Sequence, residues 1–180
     1  WTPKPITQSA PPLPDRVTSV PPEGTDPPDM ATRQLGEPSK VWTYRDAGGK
    51  VIGYVARYDV PEGKQIRVWS YGSRGNADPS WGCGHFQKPR PLYGLERLAA
   101  RPTAPVLITE GEKACDAAGE LLGATYVAIA WPGGANAWKY ADWGPVRGRR
   151  VLLWPDADAP GMECMRQLAG LLSDPLGLAC

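Results

Sequence analysis

Val106-Leu107-Ile108-Thr109 running into Glu110-Gly111, and Val151-Leu152-Leu153-Trp154 running into Asp156-Ala157-Asp158, are the stretches that decide the fold. Each is a short apolar run of strand length, and each ends in acid. Between and after them the pattern alternates. A helix is expected over 112–122, closed by Gly123, then a strand over 126–131, a helix over about 135–142, the strand 151–155 and a helix over 160–172. With the first strand over 106–110, this order is that of an α/β unit, a parallel sheet with crossover helices. Ala114, Ala118, Leu121 and Leu122 fall on one face of the first helix, and Met165, Leu168 and Leu172 on one face of the last. Cys115 and Cys164 lie near those faces and read as core residues.

Carboxylates at the ends of neighbouring parallel strands converge on one edge of the sheet. Glu110, Asp156 and Asp158 are therefore placed to hold a divalent cation. Asp156 and Asp158 are two positions apart, so they project to one side if the strand geometry continues through them. Oxygen donors without nearby His or Cys favour Mg2+ or Mn2+ over zinc. Glu110 is either a ligand or a general base, and metal-dependent phosphoryl or nucleotidyl transfer is the leading chemistry. The competing reading is capping: Asp158 precedes a helix that begins with Pro160, a favoured first helical residue. It accounts for one Asp but for neither Asp156 nor Glu110.

Lys113, in the first turn after Glu110-Gly111-Glu112, reads either as a cation reaching a phosphate or the acids, or as a surface partner of Asp116. Gly133-Gly134, between a strand and a helix, offers either a close backbone approach to phosphate or a tight turn. No Gly-x-x-x-x-Gly-Lys-Ser/Thr motif occurs, so the chain carries no P-loop.

Working outward, residues 1–40 hold the proline pairs Pro11-Pro12, Pro21-Pro22 and Pro27-Pro28 and few large apolar residues, the composition of an extended linker or surface-hugging tail. From 41 to 104 the chain reads as a smaller antiparallel, β-rich lobe. Trp42 to Asp46, a Gly48-Gly49 turn and Val51 to Tyr58 form a hairpin, Ile66 to Tyr71 adds a strand, and Leu92 to Ala100 is a short helix or turn. Residues 105–180 are the metal-binding unit, expected to lack an element at its C-terminal end.

With 180 residues, 42% apolar and 22% charged, the chain can build a packed core. The net charge of +1 gives no whole-chain attraction to polyanions, so such binding must come from the local cluster of cations between Arg57 and Arg90. No apolar run approaches the roughly 20 residues needed to span a bilayer, and the start has no signal-peptide core. The chain reads as cytosolic, with no membrane partner. Four cysteines at 83, 115, 164 and 180, with no Cys-x-x-Cys pair and a single histidine, argue against a disulfide framework. Cys83-Gly84-His85 supplies too few ligands for structural zinc. The start at Trp1 and stop at Cys180 suggest a piece of a longer protein.

Glu110-Gly111, Asp156-Ala157-Asp158 and the following Ala159-Pro160-Gly161 resemble the metal-binding motifs of TOPRIM domains, found in topoisomerases, bacterial-type primases and some nucleases. Upstream, Tyr44-Arg45-Asp46, Gly53 to Arg57, Gly63-Lys64 and Pro91-Leu92-Tyr93-Gly94-Leu95 are similar to the region before TOPRIM in primases. Together they look like the bacterial/phage-type DNA primases of phages, prophages and plasmids, some fused to helicases, over about residues 41–172.

The resemblance implies synthesis of short RNA primers on a single-stranded DNA template from nucleoside triphosphates. It assigns the metals, Mg2+ or Mn2+, to Glu110, Asp156 and Asp158, with Lys113 beside them. It assigns nucleotide or template binding to Arg57, Lys64, Arg67, Lys88 and Arg90, with Gly133 and Gly134, and base stacking to Tyr93 or Trp81. A replicative helicase, fused or separate, is an expected partner, in the cytoplasm of a bacterial host cell. Two departures stand out: there is no Cys/His zinc ribbon for template choice, and no further strand after the last helix. The alternatives are a TOPRIM nuclease cleaving phosphodiester bonds, and a non-catalytic nucleic-acid-binding replication scaffold whose acids only cap helices. A type II topoisomerase lacks a tyrosine nucleophile module here.

Overall fold

A computed structural model of the chain describes residues 16–173; Trp1, Pro11-Pro12 and Cys180, discussed above, lie outside the described residues. The elements are β1 (Arg16–Thr18), β2 (Lys40–Arg45), β3 (Val51–Val60), β4 (Gly63–Arg74), β5 (Ser80–Cys83), α1 (Leu95–Ala100), β6 (Val106–Thr109), α2 (Glu112–Leu122), β7 (Val127–Ala130), β8 (Val151–Trp154) and α3 (Ala159–Leu172). They form an α/β fold with a five-stranded antiparallel sheet and a three-stranded parallel one.

The hairpin forms where the sequence places it. Asp46 Oδ1 accepts from the backbone N–H of Gly48 and of Lys50, both at 2.9 Å, and Gly49 takes φ 84°, a conformation that favours glycine. β3 then pairs along its length with β4. Two strands were not foreseen. β1 pairs with the end of β4, and β5 pairs with β4 through Trp69, Ser70, Tyr71 and Gly72. The proline-rich segment that follows β1 lies on this sheet: the Tyr58 hydroxyl donates to the carbonyl of Met30 at 2.7 Å, and Trp81 Nε1 donates to that of Asp26 at 2.8 Å.

The parallel sheet has the order β7-β6-β8. β6 is buried at every position because helices cover both its faces. On one face Leu107, Ala128 and Ala130 meet Cys115 and Ala118 of α2. On the other, Val106, Ile108, Ile129 and Trp131 meet Cys164, Met165, Leu168 and Leu172 of α3. Each large aliphatic side chain buried this way contributes roughly 1.5–3 kcal/mol. The α3 face is the one expected. The α2 face is rotated: Cys115, Ala118 and Leu122 face the sheet, whereas Ala114 is exposed and Leu121 is 75% exposed. α2 lies over β6 and β7, which leaves Leu152 (42% exposed) and Trp154 (47%) on β8 uncovered.

The expected helix near 135–142 is instead a 3-10 turn, Ala135–Tyr140. Backbone bonds of the turn, Ala137 N–H to Gly134 O and Ala141 N–H to Trp138 O, share its carbonyls with side chains. Trp131 Nε1 donates to Gly134 O (2.9 Å), the Cys164 thiol to Ala135 O (3.1 Å) and Trp143 Nε1 to Trp138 O (2.9 Å). No helix among the described residues is long and apolar enough to cross a membrane.

Candidate metal and nucleotide site

β6 and β8 are direct neighbours, with Thr109 opposite Trp154. Glu110 therefore leaves the sheet one residue past this pair and Asp156 two residues past it, at the same edge. The Asp156 N–H donates to Glu110 Oε1 at 3.0 Å, which ties the two strand ends together. β8 ends at Trp154, so strand pairing does not carry through to Asp158. Asp158 is extended, and it is the N-cap of α3: its Oδ1 accepts from Gly161 N–H at 2.7 Å. The capping reading is thus correct for Asp158, whose charge is nonetheless felt at Glu110. Burial pushes the proton affinity of Glu110 up, the Asp156 N–H pulls it back, and the negative charges of Asp156 and Asp158 raise it further.

Gly161 makes this junction possible. A Cβ there would stand 2.5 Å from Glu110 Oε1 and 2.8 Å from the Asp156 carbonyl, so α3 can approach the acids only with glycine at this position.

The donor set suits a hard dication. Glu110 is 8% exposed and Asp156 and Asp158 are exposed, all three carry oxygen donors, and among the described residues neither the Asp156 carboxylate nor the second carboxylate oxygen of Glu110 and Asp158 has a hydrogen-bond partner. As placed, no three acidic, thiol or imidazole side chains among the described residues stand close enough to share an ion. The acids are neighbours that would need to turn inward to chelate together.

The expected cations do not form one groove. Arg57 is paired with Asp59 at 2.6 Å, and Lys64 stands opposite Asp59 in the register. Arg67 is opposite Ala56, so by strand alternation it belongs to the other face of the sheet from Arg57; its Nη1 donates to the Ile66 carbonyl at 3.0 Å. Lys113 is exposed and makes no ion pair with Asp116; its charge helps hold the Asp59 carboxyl below its usual range, after Arg57 and Ser39. Tyr93 and Trp81 are engaged in packing. Tyr93 sits against Tyr44 and Arg97, and Trp81 against Tyr54 and Tyr71.

Lys88 and Arg90, by contrast, converge. Both approach the ring of Tyr140, at 3.8 Å and 5.2 Å from its centroid, with Lys139 at 5.6 Å. Gly133 and Gly134, with φ of 102° and 78°, lie just past β7 at the same sheet edge as the acids, and a Cβ on Gly133 would fall 2.9 Å from Arg90 Nη1. Burial lowers the proton affinity of His85, and the charges of Arg90 and Lys88 lower it further.

Sequence reasoning missed the polar joint between the two sheets. Tyr44 donates its hydroxyl to Glu112 Oε1 (2.7 Å), Trp42 Nε1 donates to Asp116 Oδ2 (2.9 Å), and the Tyr93 hydroxyl donates to Asp116 Oδ1 (2.8 Å). Glu112 and Asp116 are one turn apart on α2, which is the only signal the sequence held for them. Burial and the neighbouring Glu112 charge push the Tyr44 phenol well above its ordinary range, and burial pushes up the Glu112 carboxyl.

No family model matches the chain, and no curated protein matches it. Among solved structures, it is similar to a chain in the complex of bacteriophage T7 lagging-strand DNA polymerase with primase domains of two gp4 subunits bound to an RNA/DNA hybrid and dTTP. The identity is 19% and the TM-score 0.45, over 72% of this chain. The chain spans 58% of the length of that one.

Proposed function

We propose that the chain is the catalytic portion of a DNA primase of TOPRIM type, which builds short RNA primers on single-stranded DNA from nucleoside triphosphates. The observation that carries the reading is the Glu110–Asp156 contact at the ends of adjacent parallel strands, with Asp158 close enough to raise the proton affinity of Glu110. Mutual repulsion of this kind is relieved by a dication.

In this reading Glu110, Asp156 and Asp158 hold Mg2+ or Mn2+, which when bound supplies charge neutralisation for nucleotidyl transfer. The acids orient the reacting groups at the sheet edge, and the partial burial of Glu110 limits water beside it. Lys88 and Arg90, with the open backbone at Gly133 and Gly134, bind phosphate, while Arg57, Lys64 and Arg67 give the antiparallel lobe the charge for a template strand. A replicative helicase, fused or separate, is the partner such an activity calls for.

Primer synthesis from labelled nucleotides on a single-stranded template, in Mg2+ or Mn2+, tests the reading. Asp156→Asn and Glu110→Gln are expected to abolish product while leaving circular dichroism unchanged. Full activity in either variant defeats the assignment. Degradation of DNA without added nucleotides points to the nuclease instead, and metal-independent strand binding with no turnover to a scaffold.

A further inference from the structure

Residues 20–38 cross the antiparallel sheet as a strap, on the face opposite Trp42 and Tyr44, and few contacts hold them there. At the two ends, the N–H of Ser19 donates to the Tyr71 carbonyl (3.0 Å) and that of Ser39 to the Arg57 carbonyl (2.8 Å). Between them, the described hydrogen bonds to the sheet both start from sheet side chains, Tyr58 to the Met30 carbonyl and Trp81 to that of Asp26. The strap's own backbone bonds stay within it, as in Thr32 with Gly36 and Thr25 with Pro22. Met30, 9% exposed, is its one buried residue. A segment with so little buried surface opens at lower cost than the paired strands beneath it.

Beneath the strap, Tyr54, Tyr58, Trp69 and Trp81 pack with Met30 and Leu35, and Tyr71 meets the Trp81 ring edge-on with centroids 5.3 Å apart. Arg67 stands opposite Ala56 and so shares this face. Rings beside arginine are the chemistry that stacks bases and holds their phosphates. The cover has the complementary character. Glu23, Asp26 and Asp29 fall within seven residues, all exposed; no lysine or arginine occurs from 18 to 32, and Pro21, Pro22, Pro27 and Pro28 keep the backbone out of regular pairing. A run of negative charge on a thin, unpaired backbone is how a single nucleic-acid strand presents itself. In the closed arrangement Trp69 Nε1 is buried with no hydrogen-bond partner among the described residues, a cost that opening removes.

We propose that this aromatic face is a covered binding surface for single-stranded nucleic acid, and that residues 20–38 are its acidic cover, competing with the strand for Trp69, Tyr71 and Trp81. A surface that is open only part of the time binds with its affinity reduced by the open fraction, so loosening the strap tightens strand binding. Arg57 and Lys64 lie on the other face of the sheet and take no part in the competition. The inference deepens the primase reading by adding a control on strand access, and rests on it only for calling that strand a template.

The experiment is amide hydrogen exchange of the whole chain with and without an oligothymidine strand, alongside the strand's affinity by fluorescence anisotropy, in EDTA at about 0.15 M salt, where distant charges are screened. Binding is expected to speed exchange over 20–38 while β3 and β4 keep their protection. Met30→Ala is expected to raise affinity about three-fold or more, and so is Glu23→Gln/Asp26→Asn. The latter pair is exposed and leaves both hydrogen bonds to the sheet in place, so it decides the matter if Met30→Ala does not fold. Glu62→Gln/Glu120→Gln makes the same change of charge outside the strap and should alter affinity less than about 1.5-fold. Unchanged or slowed exchange over 20–38, no gain in the strap variants, or an equal gain in the control overturns the proposal. Strap opening as expected, with no primer made by the intact chain, overturns the primase reading and leaves this surface standing; primer synthesis with the strap unmoved does the reverse.

Discussion

Trp42 and Asp116 lie 74 positions apart and are hydrogen-bonded across the boundary between the two sheets, indole Nε1 to carboxylate Oδ2 at 2.9 Å. The second oxygen of Asp116 is taken by Tyr93. Both donors belong to the antiparallel side and the linker to α1, and the acceptor belongs to α2, whose first turn follows Glu110. Asp116→Ala strands two partly buried donors at about 1–3 kcal/mol each. Urea unfolding is expected to show a loss in that range, and a cycle with Tyr93→Phe should give a coupling of about 0.5 kcal/mol or more. Strict additivity of the two changes would mean that the joint carries no energy.

Gly161 and Gly170 occupy the same helix and should respond in opposite senses to alanine. At Gly161 the new methyl collides with Glu110 Oε1 and the Asp156 carbonyl, whereas at Gly170 nothing lies within 4 Å. Gly161→Ala is expected to destabilise by about 1–3 kcal/mol and to weaken Mn2+ binding measured by paramagnetic relaxation. Gly170→Ala, on an exposed helix position, should stabilise by roughly 0.5–1 kcal/mol. Equal effects at the two positions would contradict the close approach of α3 to the acids.

Burial pushes the Cys115 thiol up to about 12 and the Cys164 thiol to about 11, from an ordinary value of 9.0. In the unfolded chain these thiols ionise from about pH 9, while in the fold they keep their protons. Above that pH the unfolded state therefore binds fewer protons, so stability falls as pH rises. The phenols of Tyr44 and Tyr93, also raised, extend the loss from pH 10 upward. Urea midpoints should drop between pH 8.5 and about 10.5. At pH 8, peptide mapping after iodoacetamide treatment should find Cys83, which is exposed, modified well before Cys115 or Cys164.

Local chemistry made much of this fold legible. Asp46 and Gly49 specify the hairpin turn, and the strands expected at 106–110, 126–131 and 151–155 match β6, β7 and β8 to within a residue at each end. Glu112 and Gly123 bound α2 nearly where the pattern ends. What the sequence hid is tertiary. β1 is three residues long, with Val17 exposed, so it has no apolar signature. The turn at 135–140 is met by the Cys164 thiol from α3, a contact that local pattern does not record. At the candidate site, the contact between Glu110 and the Asp156 backbone followed from parallel strand order, but the cap that Asp158 forms on Gly161 depends on which backbone groups arrive beside it. Asp116 looked like a partner for Lys113 because helical spacing records neighbours on one helix and not donors on another sheet.

The outer side of β8 has no pairing strand among the described residues, and Leu152 and Trp154 stand half bare beside it. An edge of that kind offers unpaired N–H and C=O groups together with apolar adhesive, so it governs how the chain behaves when concentrated. Light scattering should show assembly that grows with protein concentration, and Leu152→Lys should suppress it without moving the unfolding midpoint by more than about 0.5 kcal/mol equivalent. Colloidal behaviour, on this account, is set along the same strand whose end leads into Asp156.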